Sequence, residues 1–143
     1  MHIPHDSFVL VADGRKSLFF RNEGDDDFPN LVVEEKEQDV NPAHHEQASD
    51  LAGRASNTLG SSMEEVDFHA LEEDRFAAAT AAMLKARALR NDYEALIVVA
   101  PPATLGELRK HYHKEVEKRL VAEVPKDLVN VPVAEIEKIL QAQ

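Results

Sequence analysis

The stretch LIVVAPPATLGELR, Leu96–Arg109, decides the fold of this 143-residue chain. Its continuous apolar run ends at Pro101-Pro102, and such a run predicts a strand buried on both faces. The prolines end the strand because they cannot donate to a sheet ladder. A helix is predicted to begin near Thr104, whose hydroxyl would cap it, with Glu107 completing a capping box. In α/β folds, ligands commonly bind where a strand end faces a helix N-terminus.

Three earlier segments predict an antiparallel meander. Phe8–Ala12 is an uninterrupted apolar run and is typical of a central strand. Asp13-Gly14 predicts a turn in which glycine supplies a positive φ. Ser17–Arg21 then returns as the hairpin partner, and Leu31–Lys36 adds a third strand.

The middle of the chain carries the clearest helical signal. Asp67–Asn91 has an apolar stripe at helical spacing, with acidic residues near its start and basic residues near its end, as the helix dipole favours. A second helical stretch, Glu115 to about Leu120, either continues the helix that begins near Leu105 or follows a kink near His113.

The last segments complete an α/β sheet. Val121–Val131 is predicted to be an edge strand because Pro125 interrupts it. Pro132 suits the first turn of a final helix. Right-handed crossovers then give a five-stranded mixed sheet of order 3-2-1-4-5 with three main helices. This is the ribonuclease H-like arrangement, which the middle domain of archaeal and eukaryotic peptide-release factors resembles.

Length and composition predict one α/β domain over residues 1–143. Within it, residues 37–65 are rich in Asn, Ser, Gly, Ala and charge and contain no aromatic residue, which predicts a long mobile polar loop. No signal peptide, cysteine or membrane-length apolar run is visible, so we expect a cytoplasmic protein with no membrane partner. The net charge of −11 disfavours direct binding of nucleic acid.

A ribonuclease H-type nuclease requires carboxylates that converge on divalent metals from the first strand, the first helix and the end of the fourth strand. Asp13 follows the first strand, and Glu72 or Glu73 would supply the helix. The fourth strand is followed by Ala100-Pro101-Pro102, without a carboxylate. We therefore expect a protein without catalytic residues, and retain as an alternative a hydrolase or metal-dependent nuclease that uses Asp13.

The seven histidines do not predict a metal centre, and no cofactor motif is present. His44-His45-Glu46 are adjacent, and His2 and His5 lie near the N-terminus. His111 and His113 are two apart on a predicted helix and therefore point to different faces. Lys126-Asp127 either faces the Pro101–Thr104 corner or forms a local salt bridge on the edge strand. The predicted ligand-binding residues are Asp13, Pro102, Thr104, Arg109, Lys126 and Asp127.

Four blocks resemble the host attachment protein family of bacteria: VLVADGRKSLFFRNEG (Val9–Gly24), DFHALEEDRFA (Asp67–Ala77), LIVVAPPATLGELR (Leu96–Arg109) and VAEVPKDLVNVP (Val121–Pro132). Phe68 stands where its relatives tend to have Trp, and Lys114 where Pro is common. That family is grouped with bacterial relatives of the release-factor middle domain. The release-factor domain works through a Gly-Gly-Gln tripeptide on a long loop, and this chain contains no such tripeptide.

The resemblance implies no catalytic residue. It implies a role in translation or in the regulation of attachment to host cells. Together with the composition, it predicts a non-catalytic cytoplasmic binding protein. Its partner would be a protein or a small ligand, with the ribosome as a candidate. Because no export signal is visible, an attachment role would be indirect.

Overall fold

A computed structural model of the chain describes residues 1–38 and 61–143. These residues form five strands and four helices: β1 (Phe8–Ala12), β2 (Lys16–Asn22), β3 (Leu31–Gln38), α1 (Ser61–Leu89), β4 (Leu96–Val99), α2 (Pro102–Arg109), α3 (Lys114–Arg119), β5 (Leu120–Val124) and α4 (Val133–Gln141).

The strands form one sheet in the order β3-β2-β1-β4-β5, which confirms the predicted topology. β1 pairs antiparallel with β2 and parallel with β4, and β2 pairs antiparallel with β3. β5 lies parallel to β4 at the far edge. The N-terminal apolar run and the run before the double proline therefore lie side by side in mid-sheet, as predicted.

Helices cover both faces of the sheet, and β1 and β4 are apolar at every position. Leu10 and Val98 pack on one face with apolar side chains of α1, α2 and α3. Val9 and Ile97 pack on the other face with α4. All four of these side chains are fully buried, as expected for strands covered on both sides.

The predicted capping box does not form. α2 begins at Pro102, Pro101 occupies the N-cap position, and no side chain caps the helix. Proline suits the first helical position because its fixed φ is already helical and its missing N–H would lack a partner there. Thr104 consequently lies inside the first turn of α2.

The β1–β2 hairpin also differs from its prediction. The φ of Gly14 lies outside the left-handed region. A Cβ at this position would lie 3.1 Å from Cγ of Glu73. Glycine at this position therefore permits the close packing of the Glu73 side chain and does not serve a left-handed turn.

Several element bounds differ from their predictions. β5 ends at Val124, not Val131, because Pro125 cannot donate to the ladder. α3 is separate from α2, and its N-cap His113 accepts a hydrogen bond from the Glu115 backbone N–H at 3.0 Å.

The ends of the predicted loop at residues 37–65 fall in β3 and α1, and residues 39–60 lie outside the described residues. No helix in the described ranges combines the length and apolarity that a membrane crossing requires.

Candidate functional site: a crevice at the carboxyl edge of the sheet

A narrow crevice lies at the carboxyl ends of β1 and β4, where a parallel α/β sheet commonly binds ligands. The β1–β2 hairpin, the first half of α1 and the helix α2 form its walls. Its enclosed volume is about 10 Å³, which leaves room for about one water molecule. Phe76, Ala77 and Leu108 give it an apolar lining, whereas Asp13, Glu73 and Thr104 contribute polar groups.

Asp13 holds the hairpin turn. Its Oδ1 accepts hydrogen bonds from the backbone N–H groups of Arg15 and Lys16, each at 2.7 Å. The backbone N–H of Asp13 donates to the carbonyl of Lys16 at 3.0 Å. One carboxylate oxygen is therefore used in an Asx-type turn, which fixes the orientation of this side chain beside the crevice.

Glu73 is the carboxylate that α1 places at the crevice. Its side chain packs on Gly14, the residue that follows Asp13. Glu72 does not line the crevice; it is only 8% exposed and its Oε1 lies 3.3 Å from a guanidinium nitrogen of Arg75. The sequence left these two neighbours as alternatives, and the orientation of α1 selects Glu73.

The end of β4 adds no carboxylate to Asp13 and Glu73. β4 is followed by Ala100 and the two prolines, and α2 contributes Thr104 and Glu107. Lys110 Nζ donates to Glu107 at 2.9 Å. Within residues 1–38 and 61–143, no group of three or more His, Asp or Glu side chains is arranged to hold a metal ion. The donor set of a two-metal nuclease is therefore not assembled in the described part of the chain.

The six predicted ligand-binding residues are only partly brought together. Asp13 and Thr104 line the crevice, and Pro102 begins the helix that carries Thr104. Arg109 lies at the other end of α2, where its Nε is 3.2 Å from both carboxylate oxygens of Glu123 on β5. Lys126 and Asp127 are exposed in the connection after β5 rather than on a strand.

A contact between Asp74 and His111 joins α1 to the residues after α2, close to the crevice. Asp74 Oδ1 lies 2.9 Å from His111 Nε2. This hydrogen bond lowers the pKa of the Asp74 carboxyl below its usual value. Sequence reasoning missed the pair because the two residues are far apart in the chain and no local pattern links them.

Two further histidines have structural contacts. His113 caps α3, and His5 Nδ1 lies 2.6 Å from the carbonyl oxygen of Gly24. His44, His45 and Glu46 lie outside the described residues.

The comparisons with known proteins agree with this fold. The model of the family described as bacterial archaeo-eukaryotic release factor family 12 matches residues 6–140. The matched range begins before β1 and ends within α4, so it includes all five strands and the crevice. No protein of curated function matches the chain. Because the family model spans nearly the whole sequence, this chain belongs to bacterial archaeo-eukaryotic release factor family 12.

Proposed function

We propose that this protein is a non-catalytic binding protein that acts with the translation machinery. The observation that carries the proposal is the match of a release-factor family model to residues 6–140. The full sequence has no Gly-Gly-Gln tripeptide, so the proposal does not include peptidyl-tRNA hydrolysis by that route. We place the protein in the cytoplasm, where translation occurs.

The crevice at the carboxyl edge is the proposed binding site, with Asp13, Pro102 and Thr104 as its contact residues. Because the crevice has room for about one water molecule, a side chain of a partner protein or a small ligand would bind across its mouth, and a large cofactor does not fit. Its apolar lining and few polar groups match the composition of ligand pockets. Arg109, Lys126 and Asp127 are proposed as outer contacts, because they lie on α2 and on the connection after β5.

Charge favours a protein surface over ribosomal RNA as the direct contact. The chain carries a net charge of −11, and phosphate recognition depends on positive charge. A role in host attachment, suggested by the sequence resemblance, would be an indirect consequence of this binding activity.

Sedimentation of the tagged full chain with ribosomes tests the link to translation. A lysate of the bacterium that encodes the chain is separated on a sucrose gradient at low salt. We expect the chain in ribosomal fractions, and its release when ribosomes are split or washed in high salt. A chain that stays at the top of every gradient would rule out the proposed link.

A crevice variant tests the proposed site. Thr104→Arg places a long side chain at the crevice wall, and we expect at least a tenfold loss of the ribosome-bound fraction. Ala134→Arg is the matched control, because Ala134 is exposed on α4, which covers the other face of the sheet. Equal losses in both variants, with folding intact, would show that the crevice is not the site.

A further inference from the structure

Phe28, in the connection between β2 and β3, is a large apolar side chain that lies almost entirely in solvent. Its relative exposure is 79%. The flanking residues Glu23, Asp25, Asp26 and Asp27 are acidic and exposed. Covering this aromatic side chain in a complex would remove apolar surface from water, which is favourable.

The connection that carries Phe28 has a defined conformation. Asp25 Oδ1 accepts hydrogen bonds from the N–H groups of Asp27 and Phe28 at 3.0 and 2.7 Å. The fully buried Asn22 accepts from Gly24 N–H at 3.0 Å and from Asn30 N–H at 2.9 Å. Phe28 is thus presented on ordered backbone, so little further conformational entropy is lost when a partner covers it.

An open cleft adjoins this connection. It measures about 710 Å³ to its mouth and lies between residues 4–7 and 91–95. His5, on its rim, contacts the carbonyl oxygen of Gly24 at 2.6 Å, so the cleft and the Phe28 connection form one surface. Arg21 lines the cleft and donates to the carbonyls of Asp6 and Asp92 at 3.2 and 2.6 Å.

The charge of this surface is strongly negative. Asp6 and Glu94 line the cleft and are exposed, and they add to the acids beside Phe28. The arginines that contact this region are already in ion pairs: Arg21 with Glu34, Arg90 with Asp92 and Arg119 with Glu115. A partner that covers Phe28 must therefore supply both apolar contact and positive charge.

We propose that residues 23–30 and the adjoining cleft, here called the Phe28 surface, dock a basic protein segment that carries apolar side chains. The apolar side chains cover Phe28, and a Lys or Arg of the segment enters the cleft beside Asp6 and Glu94. RNA does not fit this surface, because its phosphates would face the carboxylates. The inference concerns the opposite edge of the sheet from the crevice and stands independently of the proposed link to translation.

Synthetic peptides titrated into the isotope-labelled full chain test the proposal by amide chemical shifts. The probe is a 16-residue peptide of Lys and Leu, with Leu at helical spacing. Two control peptides replace every Leu by Ser or every Lys by Glu. We expect the Lys-Leu peptide to shift the amides of residues 5–7, 23–28, 30 and 91–95, and the controls to bind at least tenfold more weakly.

Variants separate docking from general attraction to an acidic protein. Phe28→Ser is expected to weaken binding of the Lys-Leu peptide at least tenfold. The double change Asp26→Asn with Asp27→Asn is expected to weaken it several-fold, and this loss should be larger at low salt than at high salt. Leu71→Ser and Glu117→Gln are the matched controls, since Leu71 is also exposed and Glu117 is an exposed acid on α3. Both controls should bind as the unchanged protein does.

Five outcomes would overturn the proposal. Three concern the Lys-Leu peptide: no binding, shifts of amides elsewhere, or equal binding to Phe28→Ser. A single-stranded RNA oligomer that shifts the same amides in a Phe28-dependent way would assign the surface to RNA. A dimer of the protein alone in sedimentation velocity, abolished by Phe28→Ser, would make a second copy the occupant.

Discussion

Polar side chains have different roles at the two ends of the central strands, which we call the amino edge and the carboxyl edge of the sheet. At the amino edge, Asn22 and Arg21 donate hydrogen bonds to backbone carbonyls of residues that lie outside the strands. At the carboxyl edge, Asp13 holds a turn, whereas Glu73 and Thr104 face a crevice. Polar groups that satisfy buried backbone stabilise the fold, and polar groups that line a crevice are available to a ligand. Substitution of Asn22 or Arg21 should therefore reduce stability, whereas substitution of Glu73 or Thr104 should reduce binding at the crevice.

The largest effect is expected for Asn22→Ala. The Asn22 amide donates to the carbonyls of Ile3 and Pro4 at 2.8 and 3.2 Å, and its Oδ1 accepts from two backbone N–H groups. The variant leaves several of these groups unsatisfied, so the free energy of unfolding should fall by about 3 kcal/mol. Urea denaturation measures this change. Exposed Asn30 supplies the control, because Asn30→Ala should change stability by less than about 0.5 kcal/mol.

A pair of glycine substitutions gives the next largest contrast. A Cβ at Gly24 would lie 2.2 Å from the carbonyl oxygen of Phe28, whereas nothing lies within 4 Å of a Cβ at Gly106. Gly24→Ala must displace backbone and should cost about 2 kcal/mol. Gly106→Ala lies within α2 and should stabilise by about 0.5–1 kcal/mol. Thermal unfolding of both variants is the measurement, and a shift in the same direction would contradict the argument.

The same contrast explains which features could be predicted from sequence. The apolar runs Phe8–Ala12 and Leu96–Val99 predicted the buried strands and the sheet order, because burial on both faces demands continuous apolar sequence. The polar contacts at both edges were less predictable. Asn22 bonds to Ile3 and Pro4 across the chain, and Glu73 reaches Gly14 only because α1 crosses the hairpin. Such contacts depend on tertiary placement, which no local pattern encodes.

The predicted site residues lie only partly together, for a related reason. Asp13 and Thr104 line the same crevice because β1 and β4, which precede them in the chain, are parallel neighbours, as the topology implied. Arg109 was expected at the corner, but α2 begins at Pro102 and carries it a full helix length away to Glu123. The start of α2 was predicted from the capping motif of Thr104 and Glu107. In the structure the helix begins at Pro102, since proline favours the first helical position.

Asp13→Ala should have an intermediate effect at the carboxyl edge. The change removes the acceptor of two backbone N–H groups in the hairpin turn. By analogy with helix N-caps, the loss should be about 1 kcal/mol, measured by urea denaturation. The nuclease alternative is checked in the same samples with Mg²⁺ or Mn²⁺ and a labelled RNA. We expect no metal-dependent cleavage by either protein, and cleavage that the variant loses would establish the enzyme.

Glu34 at the amino edge should show a pH-dependent effect of smaller size. Hydrogen bonds from Arg21 and Arg87, at 2.9 and 2.6 Å, lower the pKa of Glu34 below its ordinary value of 4.5. Because the folded-state pKa is the lower one, this stabilisation is present above the ordinary value and is lost as pH falls through the folded-state pKa. Glu34→Gln should cost about 0.5–1 kcal/mol at pH 7, since the carboxylate is partly exposed.

Urea denaturation between about pH 3 and pH 7, the range in which a carboxyl group titrates, measures the free energy of unfolding of Glu34→Gln and of the unchanged protein. The difference between the variant and the unchanged protein should shrink towards the acidic end. Glu135→Gln is the control, because its pair with Lys138 is 3.7 Å long and more exposed. A constant difference across the range would show that the ion pairs of Glu34 do not supply the stabilisation.

Glu73→Gln should have the smallest effect on stability. The amide has nearly the same shape as the carboxylate, so the packing on Gly14 is retained. The free energy of unfolding should change by less than about 0.5 kcal/mol, while one of the carboxylates at the crevice is removed. If the crevice binds a partner through its polar groups, the ribosome-bound fraction should fall although the fold is intact. A loss of stability comparable with that of Asn22→Ala would instead mean that Glu73 is a structural group and that the two edges do not differ.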